Sequence, residues 1–135
     1  MTAIGTPKLA TSNDSFLRFA LRLDATCSGL VGLAGIPLAG WLARMSGTTP
    51  AFEYGMAAVF IAFAIGVFVV ASRPKVKGAG IVIAVGNLAY TVASVIFVLA
   101  DVFPLTTFGV VATLAVGVYT LVMAELQYQG VRRIK

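Results

Sequence analysis

Four long apolar runs that contain no charged residue divide the chain. They cover residues 25–43, 54–72, 78–100 and 102–124. A helix needs about 20 apolar residues to cross the ~30 Å hydrocarbon core of a bilayer. None of the runs shows the alternation of apolar and polar positions that is typical of a barrel strand. The pattern therefore predicts an all-α bundle of four transmembrane helices.

The residues that flank these runs set the expected limits of the helices. Asn13, Asp14 and Ser15 offer N-cap side chains, so the first helix is expected to begin near Ser15. The four helices are expected at about 15–43, 52–72, 78–100 and 106–129. The chain then divides into a short cytoplasmic tail over residues 1–14 and a single membrane domain over residues 15–135.

The basic residues predict the orientation of the bundle. With an even number of spans, nine of the ten lie on one side of the membrane, and only Arg44 lies on the other. The nine are Lys8, Arg18, Arg22, Arg73, Lys75, Lys77, Arg132, Arg133 and Lys135. The positive-inside rule therefore places both termini in the cytoplasm.

Composition narrows the chemistry that the chain can perform. Hydrophobic residues make up 59% of the chain and charged residues 11%, against about 25% charged in an average soluble domain. The absence of histidine and the single cysteine exclude imidazole-ligated haem or zinc, histidine-based triads and disulfide frameworks. We therefore expect no enzyme, no cofactor and no metal site. The net charge of +5 is assigned to a membrane surface and not to nucleic acid, because the basic residues lie between apolar runs.

Small residues recur at helical spacing and predict close packing between helices. Cys27 is interpreted as a small buried residue. The predicted seams are Gly29, Gly32 and Gly35 in the first helix, Ala58, Ala62 and Gly66 in the second, and Gly109, Thr113, Gly117, Thr120 and Ala124 in the fourth. Two interpretations stay open, since a seam can pack within the bundle or dock onto a separate membrane protein.

Four polar residues are expected to share one layer in the cytoplasmic half of the membrane. At 1.5 Å per residue, Arg22, Asp24, Asn87 and Glu125 lie about 9–13 Å from the cytoplasmic ends of their helices. Ionisable side chains at such depth are costly and need a partner or a function. Asp24 shares a face with small residues and is expected inside the bundle, whereas Arg22 is expected either to approach Glu125 or to extend to the lipid headgroups.

The third helix contributes a polar stripe to the same region. Asn87, Tyr90, Thr91 and Ser94 follow the spacing i, i+3, i+4 and i+7. The polar layer has three interpretations: a hydrogen-bonded clamp that fixes helix order, a substrate or proton site that uses Asp24 or Glu125, or a contact surface for another subunit.

Several segments resemble an uncharacterised family of small actinobacterial four-helix membrane proteins. They are the Leu-Arg-Leu-Asp segment that ends at Asp24, the Gly-Asn-Leu segment around Asn87, the Ala-Glu-Leu-Gln segment around Glu125, and the pair Arg132 and Arg133. The architecture is also similar to that of DoxX-like proteins. The resemblance implies a four-helix fold and a location in the bacterial inner membrane, and it implies no activity.

These observations lead to two expectations about function. A loop-poor, non-catalytic bundle is expected to be an accessory subunit that contacts a larger inner-membrane complex through a helix face. A lipid-importing complex of the mammalian-cell-entry (Mce) type is one candidate host. The alternative is a small homo-oligomeric carrier or exporter that uses Asp24 or Glu125 for ion coupling.

Overall fold

The computed structural model describes residues 14–134, and within this range the chain folds into four α-helices. They are α1 (Ser15–Ser46), α2 (Pro50–Ala71), α3 (Lys77–Ala100) and α4 (Thr107–Arg132). Each helix is long and apolar enough to cross a membrane. Their ends differ from the expected limits by three residues at most. The prediction of an all-α bundle is confirmed, and the chain is a multi-pass membrane protein.

Most of the predicted tail, residues 1–13 with Lys8 and Asn13, lies outside the described residues. Lys135, at the other end of the chain, also lies outside them. Asp14 is the N-cap residue of α1, but its side chain makes no capping hydrogen bond. Instead its Oδ2 accepts a hydrogen bond from Arg18 at 2.9 Å.

The helices alternate in direction, so the bundle has a basic end and an opposite end. The basic end holds the start of α1, the α2–α3 loop and the end of α4, with Arg18, Arg22, Arg73, Lys75, Lys77, Arg132 and Arg133. Arg44 lies at the opposite end. The cytoplasmic location of the basic end stays a prediction of the positive-inside rule.

At the opposite end, capping residues join α1 to α4. α1 ends at Gly47, whose φ of 82° is a left-handed conformation that favours glycine. The backbone N–H of Thr106 donates to the carbonyl of Ser46 at 3.1 Å. The side chain of Thr106 accepts from the N–H of Gly109 at 3.0 Å and so caps α4.

The glycines of α1 form the contact with α2. A Cβ on Gly32 would lie 2.9 Å from the carbonyl oxygen of Ala57, and one on Gly35 would lie 3.3 Å from the Cβ of Ala57. A Cβ on Gly29 would lie 3.3 Å from the Cβ of Ala64. The backbones of the two helices therefore approach closely along the seam that the sequence predicted in α1.

The seam of α4 also packs within the chain. Gly109 lies against the carbonyl of Ser46, and Gly117 lies against the side chain of Ser94. Thr113 donates to the carbonyl of Gly109 at 2.7 Å. Because the chain's own helices fill the space beside Gly32 and Gly117, docking of a separate protein on these glycines is excluded.

The predicted seam in α2 does not pack against another helix in the described part of the chain, so packing within the bundle is wrong for it and docking stays a prediction. Ala58, Ala62 and Gly66 are exposed, and the face of α2 that meets α1 carries Ala57, Ile61 and Ala64 instead. Nearly every position of α2 is apolar or small, so its sequence does not distinguish an inner from an outer face. The small-residue pattern alone selected the outer one.

α2 and α3 are not packed along each other as the other neighbouring helices are. α1 packs along α2 and α4, and α4 packs along α3, whereas the backbones of α2 and α3 make few contacts within the described part of the chain. Aromatic rings bridge the gap between α2 and α3. The centroids of Phe52 and Phe97 are 5.4 Å apart, and those of Phe60 and Tyr90 are 6.1 Å apart.

Candidate functional site

Asp24 is a fully buried carboxylate at the centre of a hydrogen-bonded cluster. It lies on α1 with 0% of its surface exposed. Its Oδ2 accepts hydrogen bonds from the amide nitrogens of Asn87 and Gln127, both at 2.8 Å. Its Oδ1 accepts from the hydroxyls of Tyr119 at 2.7 Å and Ser28 at 3.2 Å. Side chains of α1, α3 and α4 therefore meet at one carboxyl group.

Asn87 and Gln127 connect the two helices that they come from. Besides its bond to Asp24, the Nδ2 of Asn87 donates to the Oε1 of Gln127 at 2.9 Å. Both side chains are buried, and Gln127 is 0% exposed. The Asp24 cluster, defined as Asp24, Ser28, Asn87, Tyr119 and Gln127, thus has hydrogen bonds from α1 to α3, from α1 to α4 and from α3 to α4.

The hydrogen bonds continue along the interface of α3 and α4. Thr91 donates to the carbonyl of Gly117 at 2.9 Å, and its Oγ1 lies 2.8 Å from that of Thr120. Ser94 donates to the carbonyl of Thr91 at 2.7 Å. The bond of Ser94 lies within α3, whereas those of Thr91 to Gly117 and Thr120 are interhelical, and interhelical bonds stabilise membrane bundles by about 0.6 kcal/mol each on average. Three of the four residues of the predicted α3 stripe therefore lie in the interface, and Tyr90 lines a cavity.

The donors around Asp24 match an ionised carboxylate. An ionised carboxylate only accepts hydrogen bonds and offers about four lone-pair positions, and four donors surround Asp24. All four donors are neutral. Among residues 14–134, the ion pair is that of Arg18 with Asp14, and no cation lies within 4.0 Å of Asp24. Neutral groups therefore occupy all four lone-pair positions of the Asp24 carboxyl group, and no basic side chain lies beside it in the described part of the chain.

The predicted approach of Arg22 to Glu125 is wrong. Arg22 is exposed and donates to the carbonyl of Ala71 at 3.3 Å, on the side of α2. Glu125 is exposed on α4 and accepts from Gln129 at 2.7 Å. Arg22 is thus hydrogen-bonded to a carbonyl at the end of α2, and Glu125 is hydrogen-bonded to an amide one turn further along α4.

Of the predicted polar layer, the structure brings together Asp24 and Asn87 and leaves Arg22 and Glu125 outside. Sequence reasoning missed Ser28, Tyr119 and Gln127 as partners of Asp24. A signal existed for two of them. Ser28 follows Asp24 by four residues, and Gln127 continues the small-residue seam of α4 three residues beyond Ala124.

Arg18 fixes the end of α2 at the basic end. Its Nη1 donates to the carbonyls of Ala71 and Arg73, both at 2.7 Å, and its Nη2 donates to the carbonyl of Pro74 at 3.0 Å. The last carbonyls of a helix have no partner within the helix, and an arginine can supply one. Arg18 therefore holds the α2–α3 loop against α1.

A cavity of about 520 Å³ lies between all four helices, directly beside the Asp24 cluster. Its lining residues are Cys27, Ser28, Val31, Val59, Phe60, Phe63, Gly86, Asn87, Tyr90, Ala115, Val116, Tyr119 and Thr120. Most of this lining is apolar or aromatic, and its polar groups include three donors to Asp24. The free thiol of Cys27 is half-buried here, so Cys27 is a cavity residue as well as a small packing residue.

A second cavity of about 410 Å³ lies toward the opposite end. It shares Val31, Phe60, Tyr90 and Val116 with the first, so the two adjoin. Glu53 lines the second cavity and accepts a hydrogen bond from Thr48. Both cavities follow from the loose packing of α2 against α3, because the bridging rings leave space between the helix backbones.

No metal site accompanies the cavities in the part of the chain that the structure describes. Within residues 14–134, no group of three or more acidic or cysteine side chains lies close enough together to bind a metal ion.

The fold and this site define a multi-pass, all-helical membrane protein with a cavity between its helices and a buried carboxyl group. No family model, no curated protein and no solved structure matches the chain. The features that bear on its function are therefore those of the site itself.

Proposed function

We propose that the protein is a non-catalytic membrane carrier that binds a lipophilic small molecule in the cavity between its helices. The observation that supports this proposal is the 520 Å³ cavity and its lining. Ligand sites are concave, mostly apolar volumes of about 300–1,000 Å³ with a few convergent polar groups. The cavity has this size and composition, and three of its polar groups are held in position by Asp24.

The gap between α2 and α3 supplies a route into the cavity from the bilayer. Along the other three interfaces, helices pack closely, whereas here the rings of Phe60 and Tyr90 bridge the two helices. Side-chain rotation is faster than helix movement. A ligand dissolved in lipid can therefore enter when these rings turn, without separation of the helices.

The experiment is a binding measurement on the purified protein in lipid nanodiscs. A radiolabelled lipophilic probe is titrated, and uptake by empty nanodiscs is subtracted. Gly86→Leu tests the cavity, since Gly86 lines it and a Cβ there meets nothing within 4 Å among the described residues. We expect saturable binding by the wild type and at least about a tenfold loss of affinity in Gly86→Leu.

Gly78→Leu is the matched control. Gly78 lies on the same helix with equally open surroundings in the described structure, and it does not line the cavity. It should bind the probe as the wild type does. Binding that is not saturable, or that Gly86→Leu and Gly78→Leu change equally, would exclude the carrier function.

A second candidate function is an accessory subunit of a larger complex in a bacterial inner membrane, for which an Mce-type lipid importer is one host. The exposed small residues of α2 favour it. Gly55, Ala58, Ala62 and Gly66 lie on the outer side of α2. A Cβ on Gly55 or Gly66 would meet nothing within 4 Å in residues 14–134. A partner helix can approach such a surface closely.

This second function is tested by co-purification from native membranes in mild detergent. Ala62→Leu should release a partner that docks on α2, while Gly78→Leu should retain it. Recovery of the protein alone from native membranes would count against the subunit function.

A further inference from the structure

We infer that the ligand of the cavity is a lipophilic organic cation. This inference rests on the proposed function and specifies the substrate class of the same site. It depends on three features of the described residues: the uncompensated charge of Asp24, the orientation of the hydroxyls between Asp24 and the cavity, and the aromatic lining.

The first feature is charge. Asp24 is fully buried, its four hydrogen-bond donors are neutral, and no cation lies within 4.0 Å of it among residues 14–134. The nearby arginines are directed elsewhere, since Arg18 and Arg22 donate to carbonyls at the end of α2. In a medium of low dielectric constant, a negative charge attracts a cation over several ångströms. A cation in the cavity would supply the compensation that the chain itself lacks.

The second feature is the polar end of the cavity. Ser28 and Tyr119 line the cavity and donate their hydroxyl hydrogens to Asp24, over 3.2 and 2.7 Å. A hydroxyl that donates retains lone pairs that accept. Tyr119 and Ser28 therefore offer acceptor oxygens to a ligand, with the carboxylate behind them. This arrangement favours a positively charged group and disfavours an anion.

The third feature is the aromatic lining. Phe60, Phe63, Tyr90 and Tyr119 contribute to the cavity wall. Aromatic faces attract cations, and most strongly where water is excluded. The lining thus favours a cation with a large apolar body over a small hydrated ion, which would have to shed its water.

The test compares two ions of nearly equal size and shape and opposite charge, tetraphenylphosphonium and tetraphenylborate, together with a neutral tetraphenyl analogue. Binding to the protein in nanodiscs is measured after subtraction of empty nanodiscs. We expect the wild type to bind the cation at least about tenfold more tightly than the neutral analogue and to bind the anion least.

Asp24→Asn should abolish this preference, measured within the variant as the ratio of its affinity for the cation to its affinity for the neutral analogue. Glu125→Gln is the matched control. It removes a carboxylate from a similar depth, but Glu125 is exposed and bonded to Gln129, so the preference should remain. The wild-type comparison of the three ligands needs no variant, so it tests the cationic substrate class even where Asp24→Asn does not fold.

The possible outcomes distinguish the cationic substrate class from the carrier function. Saturable binding of the neutral analogue that is as tight as that of the cation would overturn the cationic substrate class and leave the carrier proposal standing. Absence of saturable binding for all three ligands would overturn the carrier proposal itself. Preference for the cation that persists in Asp24→Asn would show that another group supplies the charge, and it would overturn the role assigned to Asp24.

Discussion

Asp24 shows how a buried carboxyl group can be held without a basic partner among the described residues. Each carboxylate oxygen accepts two hydrogen bonds, and the four donors come from three helices. Charge-assisted hydrogen bonds are about twice as strong as neutral ones. The cost of removing any single donor is therefore high, because the charge stays buried.

Gln127→Leu tests this energetic argument. The substitution introduces an apolar side chain of similar size and removes one donor from Asp24 and the acceptor of Asn87. We expect a loss of about 1–3 kcal/mol in the free energy of unfolding, measured by denaturant titration in detergent. Gln129→Leu, which removes only the amide partner of the exposed Glu125, should cost less than about 0.5 kcal/mol. Equal losses in the two variants would contradict the assigned role of Gln127.

At the level of single helices, the close approach of α3 and α4 depends on Gly117. The space beside Gly117 is occupied by the side chain of Ser94, so a methyl group there would overlap the Ser94 Oγ. Gly117→Ala should destabilise the protein by about 1–3 kcal/mol, because overpacking displaces side chains or backbone. Combining Gly117→Ala with Ser94→Ala should recover part of the loss, which a double-mutant cycle in the same unfolding assay would measure.

Gly66→Ala is the reference for this glycine experiment. Gly66 lies on the exposed face of α2, and a Cβ there is unobstructed within the described residues. Alanine has the higher helix propensity, so this variant should be neutral or slightly more stable. A similar loss in Gly66→Ala and Gly117→Ala would show that the effect is unrelated to helix contact.

Arg18 determines how firmly the end of α2 is held. Replacing it with methionine keeps the apolar stem and removes the donors to the last carbonyl of α2 and to two carbonyls of the α2–α3 loop. We expect at least about tenfold faster amide hydrogen exchange at Ser72 and Arg73, since local opening of the helix end becomes easier. Arg22→Met, which removes one longer hydrogen bond to Ala71, should change the exchange less.

At the level of the whole molecule, the orientation in the membrane is tested by cysteine labelling. In a Cys27→Ala background, an impermeant thiol reagent added from outside should label Thr48→Cys and leave Lys75→Cys unlabelled. The reason is the concentration of basic residues at the end of the bundle that carries Lys75. Labelling of Lys75→Cys alone would show that the bundle has the opposite orientation in the membrane.

The sequence predicts the helices well and the contacts between them poorly. Charge-free runs report length and hydropathy directly, so each helix begins and ends within three residues of its expected position. Orientation around the helix axis was predictable where a face differs in chemistry, as for Asp24 among the glycines of α1. It was not predictable for α2, whose residues are apolar on all sides, or for the long flexible side chains of Arg22 and Glu125. These can reach several acceptors or donors, and the nearest one is set by packing.

The distance along the chain between Asp24 and its donors has a consequence for biosynthesis. Ser28 is four residues from Asp24, but Asn87 is 63 and Gln127 is 103 residues further along. At a synthesis rate of about 5–20 residues per second, Gln127 is made about 5–20 s after Asp24. If α1 enters the bilayer as it leaves the ribosome, Ser28 is the one donor to Asp24 that is present until α3 and α4 have been made. The newly made helix would then need protonation, a position near the headgroups, or an insertion factor until the last two helices arrive. Translation speed and the insertion machinery would thus affect the yield of this protein.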